Sequence, residues 1–318
     1  MNIQSVALFG GSGKIGRCFI AVLQERGIRI RALIHRTPLE GEGIECISGS
    51  VSDPAAVREV VSGTDAVLQL ATTKEEESTF FDVSVRGTLN ILEACRFVGT
   101  QQFILLGGDA AFGIWFYPQP IPIDESHPLM AYPGYYAFTK VMEEVMTTQY
   151  GCQYSVPFTI LRSSWVFEKA DLLNHFSLLK NVDPAEPGHG FGQQPETIME
   201  LVRAGKEHIP VLVNNAGVPY RRHIVHIEDL AQAFDRALGN PSAIGQSFNI
   251  AAPAAFDYRV AADYLASRMD LPTLELACPG YHSFEININR ARSVLGYQPR
   301  FDFFAMADNA IDHARGDA

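Results

Sequence analysis

The chain has 318 residues, of which 47% are hydrophobic and 19% are charged, and its formal net charge is −11. This composition is typical of a globular protein with one large domain or two smaller ones. The acidic balance excludes a nucleic-acid partner, because phosphate backbones are bound by clustered lysine and arginine. No apolar run is long enough to span a membrane and no signal peptide is evident, so we expect a cytoplasmic protein with no membrane partner.

Predicted strands and helices alternate along the chain. Strands are predicted at 6–9, 28–34, 45–47, 66–70, 103–106, 158–161, 224–227 and 247–250. Helices are predicted at 17–26, 54–61, 80–97, 135–150 and 228–237, and Gly151 is expected to end the fourth of them. The strands are continuous apolar runs, which indicates parallel strands covered on both faces. We therefore predict a doubly wound α/β fold, with residues 224–227 returning to the main sheet.

Three glycines follow the first predicted strand and open the first helix. Gly10, Gly13 and Gly16 form the pattern Gly-x-x-Gly-x-x-Gly, which in this position is typical of dinucleotide binding. Gly10 would permit the tight turn, Gly13 the close approach of the pyrophosphate, and Gly16 the packing of helix on strand. The helix N-terminus would attract the phosphates, and we expect Lys14 and Ile15 to contribute to this NAD(P) site.

The end of the second strand bears on the choice between NAD and NADP. An NAD-binding protein usually places an acidic side chain there, roughly 20 residues past the glycines. This chain has Arg36 instead. A guanidinium suits a 2′-phosphate through charge-assisted hydrogen bonds, which favours NADP over NAD. The alternative is that Arg36 is a solvated surface charge.

The sequence resembles the extended short-chain dehydrogenase/reductase family, the NAD-dependent epimerase/dehydratase group. The landmarks are the three glycines, Asp53, Leu70-Ala71-Thr72, Tyr136-x-x-x-Lys140, Leu161-Arg162, the segment 222–230, Phe248-Asn249-Ile250 and Leu295-Gly296-Tyr297-x-Pro299. The resemblance implies that Asp53, with Val51 beside it, meets the adenine, and that Ala71 and Thr72 line the nicotinamide half. It also implies an NAD(P)-binding Rossmann domain of residues 1–166 plus about 220–250, and a substrate-binding lobe of about 167–219 plus 251–318.

The resemblance implies that Tyr136 is the catalytic acid/base and that Lys140 binds the nicotinamide ribose. A tyrosine and a lysine four residues apart on a helix share one face. An ammonium and the positive ring of the cofactor would lower the pKa of the phenol toward working pH.

One family feature is missing after the fifth strand. The serine or threonine that hydrogen-bonds the substrate oxygen is replaced by Gly108. Candidates to replace this hydroxyl are Asp109, Ser163, Ser164, a water molecule or a hydroxyl of the substrate. Asp109 also falls where sugar-nucleotide 4,6-dehydratases carry an acid, although Ala110 stands in place of the glutamate base that follows it. The alternative for Asp109 is a side chain that stabilises a turn.

The substrate pocket is predicted to be less suited to phosphates than in sugar-nucleotide epimerases. Arg222 matches the arginine that clamps a nucleotide diphosphate in those enzymes, but Trp165 replaces their asparagine. A large indole favours a more apolar or aromatic substrate, with Phe112, Trp115, Phe116 and Tyr117 as further pocket residues or, alternatively, as ordinary core.

Three functions remain open from the sequence. The first is an NAD(P)-dependent oxidoreductase that transfers hydride between nicotinamide and a secondary alcohol or ketone of a small hydroxylated or aromatic substrate. The second is a sugar-nucleotide epimerase or dehydratase with transient hydride transfer, and the third is a cofactor-binding sensor with little catalysis. The scattered cysteines and histidines predict no metal site. The resemblance implies a homodimer formed by the helices at 80–97 and 135–150.

Overall fold

The computed structural model describes residues 1–183, 185–186 and 190–316. The strands are Ser5–Phe9 (β1), Arg29–Ile34 (β2), Ile44–Ser48 (β3), Ala66–Gln69 (β4), Gln102–Gly108 (β5), Phe158–Ser163 (β6), Trp165–Phe167 (β7), Ile209–Val213 (β8), Arg221–Arg222 (β9), Ile224–His226 (β10), Gln246–Ile250 (β11), Phe256–Asp257 (β12) and Thr273–Ala277 (β13). The α-helices are Lys14–Glu25 (α1), Pro54–Val61 (α2), Gly87–Val98 (α3), Tyr135–Tyr154 (α4), Asp171–His175 (α5), Leu178–Asn181 (α6), Glu196–Arg203 (α7), Ile227–Ala237 (α8), Tyr258–Met269 (α9) and Phe303–Arg315 (α10).

Seven strands form one sheet in the order β11-β6-β5-β4-β1-β2-β3. Every neighbouring pair in this sheet is parallel. The order reverses between β1 and β4, and open α/β sheets bind ligands at the carboxyl ends of the strands beside such a reversal. The predicted doubly wound fold is confirmed.

Hydrophobic side chains cover both faces of this sheet. On one face Phe19 of α1 stacks on Phe234 of α8, with ring centroids 4.3 Å apart. On the other face Val57 of α2 and Ile91 of α3 are fully buried. The first core continues into Tyr258 at the start of α9, so the C-terminal part of the chain packs against the sheet without an intervening gap. Burial on both sides explains why these strands are continuous apolar runs.

The prediction that residues 224–227 return to the main sheet is wrong. The strand at Ile224–His226 pairs with Trp165–Phe167 in a separate parallel pair. The main sheet is extended instead by β11, which pairs with β6. The chain leaves the main sheet at Ser164, whose backbone N–H donates to the carbonyl of Ile250 while its hydroxyl contacts the carbonyl of His223.

The prediction that Gly151 ends α4 is also wrong. A Cβ atom on Gly151 would lie 2.3 Å from a ring carbon of Phe158, so glycine is required for the helix to pack on β6. The helix continues to Tyr154 and ends at Ser155, which has a left-handed φ of +56°. The predicted helix at 80–97 likewise differs, because a π-helical turn at Phe81–Arg86 precedes α3.

Candidate active site

The glycine turn lies where the loops after β1 and β4 touch. Gly10 has a φ of +84°, in the left-handed region that favours glycine. A Cβ atom on Gly10 would lie 2.6 Å from the backbone nitrogen of Ala71. Only glycine therefore allows the two loops to meet at the switch point of the sheet.

Gly16 and Gly13 differ in what surrounds them. A Cβ atom on Gly16 would lie 2.5 Å from the carbonyl oxygens of both Gly10 and Gly11, so α1 packs directly on the turn. A Cβ atom on Gly13 would meet only the Gly10 carbonyl oxygen, at 3.6 Å, and the protein leaves the space beside Gly13 open. Gly13 is the N-cap of α1 and provides no side-chain cap for the first N–H groups. An uncapped helix N-terminus facing open space fits the phosphates of a dinucleotide.

The two side chains between these glycines have protein partners. The Lys14 ammonium donates to the carbonyl of Val166 at 2.8 Å and to the carboxylate of Asp171 at 2.7 Å. Ile15 packs against the hydrophobic core. Lys14 thus connects α1 to β7 and α5, and its contact with a cofactor stays a prediction.

The residues predicted for the adenosine half lie around the ends of β2 and β3. Arg36 is exposed, and no ion pair or hydrogen bond joins its guanidinium to the part of the chain that the structure describes. The Asp53 carboxylate caps α2 by accepting from the Ala55 N–H at 2.9 Å. Val51 is buried against Gly87, where a Cβ atom would lie 2.7 Å from a methyl group of Val51.

The loop after β4 carries Ala71 and Thr72 and is held by the side chains of Gln69 and Ser84. The Ala71 N–H donates to the Gln69 side chain at 3.2 Å. Ser84 is fully buried, and its hydroxyl lies 3.3 Å from the Thr72 hydroxyl and accepts from the Thr73 N–H at 3.2 Å. Ser84 therefore positions this loop.

Tyr136 and Lys140 share one face of α4, as predicted. The Lys140 ammonium lies 5.7 Å from the centroid of the Tyr136 ring. It donates to the Leu106 carbonyl at the end of β5, at 3.1 Å, and to the Glu143 carboxylate at 2.9 Å. Burial lowers the pKa of Lys140, but the carboxylate of Glu143 outweighs it and leaves the pKa raised, so the ammonium is charged.

The expected acidification of the Tyr136 phenol is not found in this structure. Burial raises the pKa of Tyr136, the Lys140 ammonium lowers it, and the carboxylates of Asp109 and Glu143 raise it again. The net pKa lies above the ordinary value of a phenol. Without the positive charge of a cofactor, the phenol of Tyr136 is held in its protonated form.

Gly108 is the last residue of β5 and lies beside the phenol. A Cβ atom there would lie 3.7 Å from the Tyr136 hydroxyl and 3.9 Å from the carbonyl oxygen of Ser163, which pairs with Gly108 across the sheet. These are ordinary contacts, so a side chain would fit. The position therefore has room for the hydroxyl-bearing side chain that the family resemblance implies there.

Asp109 follows Gly108 and is linked to Ser164. The Ser164 hydroxyl oxygen lies 2.8 Å from the Asp109 carboxyl and 2.8 Å from the carbonyl oxygen of His223. The hydroxyl has one proton, which the Asp109 carboxyl or the His223 carbonyl accepts. Burial raises the pKa of Asp109 to about 6, although the Ser164 hydrogen bond and the charge of Arg222 lower it. Asp109 is thus a carboxyl group that titrates close to neutral pH.

Arg222 lies over the two indole rings of the site. Its guanidinium carbon is 4.6 Å from the ring centroid of Trp115 and 4.2 Å from that of Trp165. Trp115 has a left-handed φ of +73°, which is uncommon for a residue with a side chain. Its indole also stacks on Tyr281, with centroids 4.5 Å apart. The guanidinium near Asp109 is therefore enclosed by an aromatic wall.

The sequence did not indicate four further residues around the site, which are Glu75, Glu143, His175 and Tyr258. Glu143 was recognisable in principle, because it lies three residues from Lys140 on one helix. Glu75 caps α4 across the cleft by accepting from the Tyr135 N–H at 2.7 Å, and 60 residues of chain separate the two. His175 lies 2.7 Å from the Tyr258 hydroxyl in the wall beyond Trp165. No local pattern could have predicted these last contacts.

Neither a membrane-spanning helix nor a metal cluster is found in the described residues. No helix there is both long and apolar enough to cross a membrane. In the same part of the chain, no group of three or more histidine, cysteine, aspartate or glutamate side chains could hold a metal ion.

A parallel sheet with a glycine turn at its switch point is typical of nucleotide-binding α/β proteins, and the tyrosine–lysine pair of α4 lies beside β5. The sequence profile of the NAD dependent epimerase/dehydratase family matches residues 6–251. The chain therefore belongs to that family, and the resemblance drawn from its motifs is confirmed.

Similar proteins differ in the activities they are named for. The chain is 29% identical over 150 residues to a 4-hydroxy-2-methyl-3-oxo-4-farnesyl-3,4-dihydroquinoline-1-oxide ketoreductase of Stigmatella aurantiaca, a match that covers 44% of each protein. It is 22% identical over 356 residues to a UDP-glucose 4-epimerase of Rhizobium leguminosarum bv. trifolii, covering 98% of both. A solved short-chain dehydrogenase/reductase superfamily protein of Agrobacterium tumefaciens with bound NAD has a TM-score of 0.86 and 24% identity, over 98% of this chain and 97% of that one.

Proposed function

We propose that the protein is an NAD(P)-dependent oxidoreductase acting on a secondary alcohol or ketone of a small hydroxylated or aromatic substrate. The observation that carries this proposal is the placement of the Tyr136 phenol. Its ring centroid lies 5.7 Å from the Lys140 ammonium, and its hydroxyl lies beside Gly108 at the carboxyl end of β5. A phenol in this place can exchange a proton with a substrate oxygen.

The glycine turn and the loops beside it are proposed to hold the cofactor. Gly10, Gly13 and Gly16 would face the pyrophosphate, and Ala71 with Thr72 would border the nicotinamide half. When bound, the nicotinamide supplies or accepts the hydride that reduces or oxidises the substrate carbon. We infer NADP rather than NAD, because the Arg36 guanidinium is exposed and free of protein partners in the described chain.

Val51 and Asp53 are proposed to border the adenine. The cap that Asp53 forms on α2 uses one carboxylate oxygen, which leaves the second oxygen for the adenine amine. Lys14 and Ile15 remain in the proposed cofactor site through their backbone N–H groups, because their side chains are engaged elsewhere.

The proton steps are assigned to Tyr136 and Asp109. When a ketone carbon is reduced, its oxygen takes the phenolic proton of Tyr136, and the Lys140 ammonium stabilises the phenolate that remains. Asp109 in its protonated form is proposed to hydrogen-bond the same oxygen, which replaces the hydroxyl that Gly108 cannot provide. Its proximity to Tyr136 supports this role, since its charge acts on the pKa of the phenol.

The aromatic wall supports a substrate with a flat or apolar group. The guanidinium of Arg222 lies over the rings of Trp115 and Trp165, and these contacts compete with any contact it could make to a diphosphate. Ser163 and Ser164 lie at the end of β6 and would border the reacting oxygen. Residues 167–219 and 251–318 are proposed as the substrate-binding lobe.

We further propose a homodimer formed through α3 and α4. These neighbouring helices present large apolar side chains to the outside, and Phe97 is 79% exposed, with Leu89, Phe138 and Val145 each about two-fifths exposed. Apolar patches of this kind mark protein interfaces. Sedimentation velocity of the wild type and of Phe97→Glu would test it, with a monomeric wild type contradicting the proposal.

The decisive experiment on the reaction is Tyr136→Phe, which removes the exchangeable proton and keeps the ring. We expect turnover to fall by at least a hundredfold while the dissociation constant for the cofactor stays within a factor of about three. Wild-type turnover in the variant would refute the assignment. Cofactor binding without oxidation or reduction of any substrate in either protein would favour the sensor instead.

A sugar-nucleotide epimerase or dehydratase is the second candidate. Asp109, with a pKa of about 6, could protonate a departing hydroxyl, and the full-length match to a UDP-glucose 4-epimerase supports this class. Stoichiometry separates the two functions. An oxidoreductase consumes one reduced nicotinamide per product, whereas an epimerase or dehydratase shows no net change in nicotinamide absorbance.

A further inference from the structure

The Lys140 ammonium is held by a partner on its own helix. The Glu143 carboxylate accepts from it at 2.9 Å, and the side chains of Lys140 and Glu143 are 5% and 1% exposed. The Leu106 carbonyl accepts a second N–H. An ammonium has three N–H donors, so one remains for a ligand or for the phenol.

Stability alone does not account for a carboxylate in this place. The second oxygen of Glu143, Oε1, is buried and has no hydrogen-bond partner among the described residues. A buried carboxylate with an unpartnered oxygen costs free energy, and buried ion pairs seldom stabilise more than apolar residues of the same volume. The neighbouring Glu144 also has one buried oxygen without a partner among the described residues, but its other oxygen binds the Arg162 guanidinium, at 2.8 Å, and not the lysine.

Glu143 is close enough to act on the phenol. Its Oε2 atom lies 2.9 Å from the Lys140 nitrogen, which is 5.7 Å from the Tyr136 ring centroid, so the carboxylate is within about 9 Å of the ring. On the same helix the charge of Lys140 lowers the pKa of the phenol and the charge of Glu143 raises it. The charge of Asp109, which follows β5, raises this pKa as well. Across the cleft Tyr132 faces the phenol and Arg222 faces Asp109, while Glu75 accepts from the backbone N–H of Tyr136.

We propose that Glu143 is a positioning residue that fixes the Lys140 ammonium against β5 and offsets its charge, so that Tyr136 keeps its proton, and can donate it to a carbonyl oxygen, up to a higher pH. This inference rests on the proposed role of Tyr136. Its physical content is that a second charge, three residues beyond the lysine, sets the pH range in which the phenol keeps its proton.

The test is the variant Glu143→Gln, which keeps the shape and removes the charge. Ultraviolet difference titration of the cofactor-free protein, with the spectrum of the same protein carrying Tyr136→Phe subtracted, isolates the ionisation of this phenol. We expect the midpoint to fall by roughly one pH unit, as one charge at this distance implies. The alkaline-activated limb of alcohol oxidation should move to lower pH by the same amount. Glu144→Gln is the matched control, a buried neighbour paired with arginine, and should leave the phenol midpoint unchanged.

A Tyr136 midpoint that stays the same or rises in Glu143→Gln overturns the proposal, as does an equal fall in Glu144→Gln. If Glu143→Gln does not fold, the same titration is made on Glu143→Asp. This variant keeps the carboxylate but shortens the side chain by one methylene, which moves the charge away from Lys140. A midpoint below that of the wild type supports the proposal and an unchanged one refutes it. The titration needs no substrate, so it is independent of turnover. The proposed function would be refuted by full activity in Tyr136→Phe, and that result is independent of the phenol titration.

Discussion

Replacement of Asp109 by asparagine tests the most unusual feature of the site. The pKa of Asp109 is raised by burial from an ordinary 3.8 to about 6, so its carboxyl group is largely ionised at pH 7. If the protonated form donates to the substrate oxygen, reduction should slow as pH rises through about 6 and fall roughly tenfold by pH 7. The amide of Asp109→Asn donates at every pH, and this limb of the pH profile should disappear.

The same substitution has a consequence for stability that needs no substrate. Because the folded-state pKa of Asp109 lies above its unfolded value, the folded protein binds a proton more tightly, and stability declines from about pH 4 to pH 6. A pKa difference of about two units corresponds to at most about 3 kcal/mol in the free energy of unfolding. Relative to the wild type, Asp109→Asn should therefore gain up to that amount between pH 4 and pH 7.

Steady-state reduction rates and thermal unfolding of the cofactor-free protein, both between pH 4 and pH 8, measure these two effects. Asp109→Ala is the control, since it lacks a donor and should be about a hundredfold slower than the acid plateau of the wild type at every pH. The reasoning is refuted if the free-energy difference between wild type and Asp109→Asn does not vary with pH. An unaltered pH–rate profile in Asp109→Asn would refute only the catalytic role.

Two further predictions concern the cofactor. Gly16→Ala places a methyl group 2.5 Å from two carbonyl oxygens and should destabilise the protein by about 1–3 kcal/mol. In Gly13→Ala the methyl group meets only one atom, at 3.6 Å, so this variant should weaken dinucleotide binding at least tenfold with little effect on the thermal midpoint. Thermal unfolding and fluorescence titration separate these outcomes, and equal thermal losses would contradict them. Arg36→Ser should weaken NADPH binding about tenfold or more and leave NADH binding unchanged, as measured by calorimetry. Equal affinities of both proteins for NADPH would show that Arg36 is only a surface charge.

Much of the fold was accessible from local pattern. The glycine turn, the helix at Pro54–Val61 and the tyrosine–lysine spacing on α4 each depend on residues close together in the chain. Where prediction failed, a distant residue was responsible: Gly151 stays helical because the Phe158 ring occupies the space where its Cβ would be. Likewise, the strand at Ile224–His226 has enough apolar character for the main sheet, but its partner is β7.

The sequence by itself determined most of the strands and helices and the glycine turn, because periodicity and glycine conformation act over a few residues, and the resemblance of its motifs to a family named the candidate acid/base. Only the tertiary structure decided the environment of those groups. Burial raises the pKa of Asp109, and Arg222 meets Trp115 and Trp165 although more than 50 positions separate it from either. Desolvation and charge proximity depend on distance in space, and the chain encodes that distance only once it has folded.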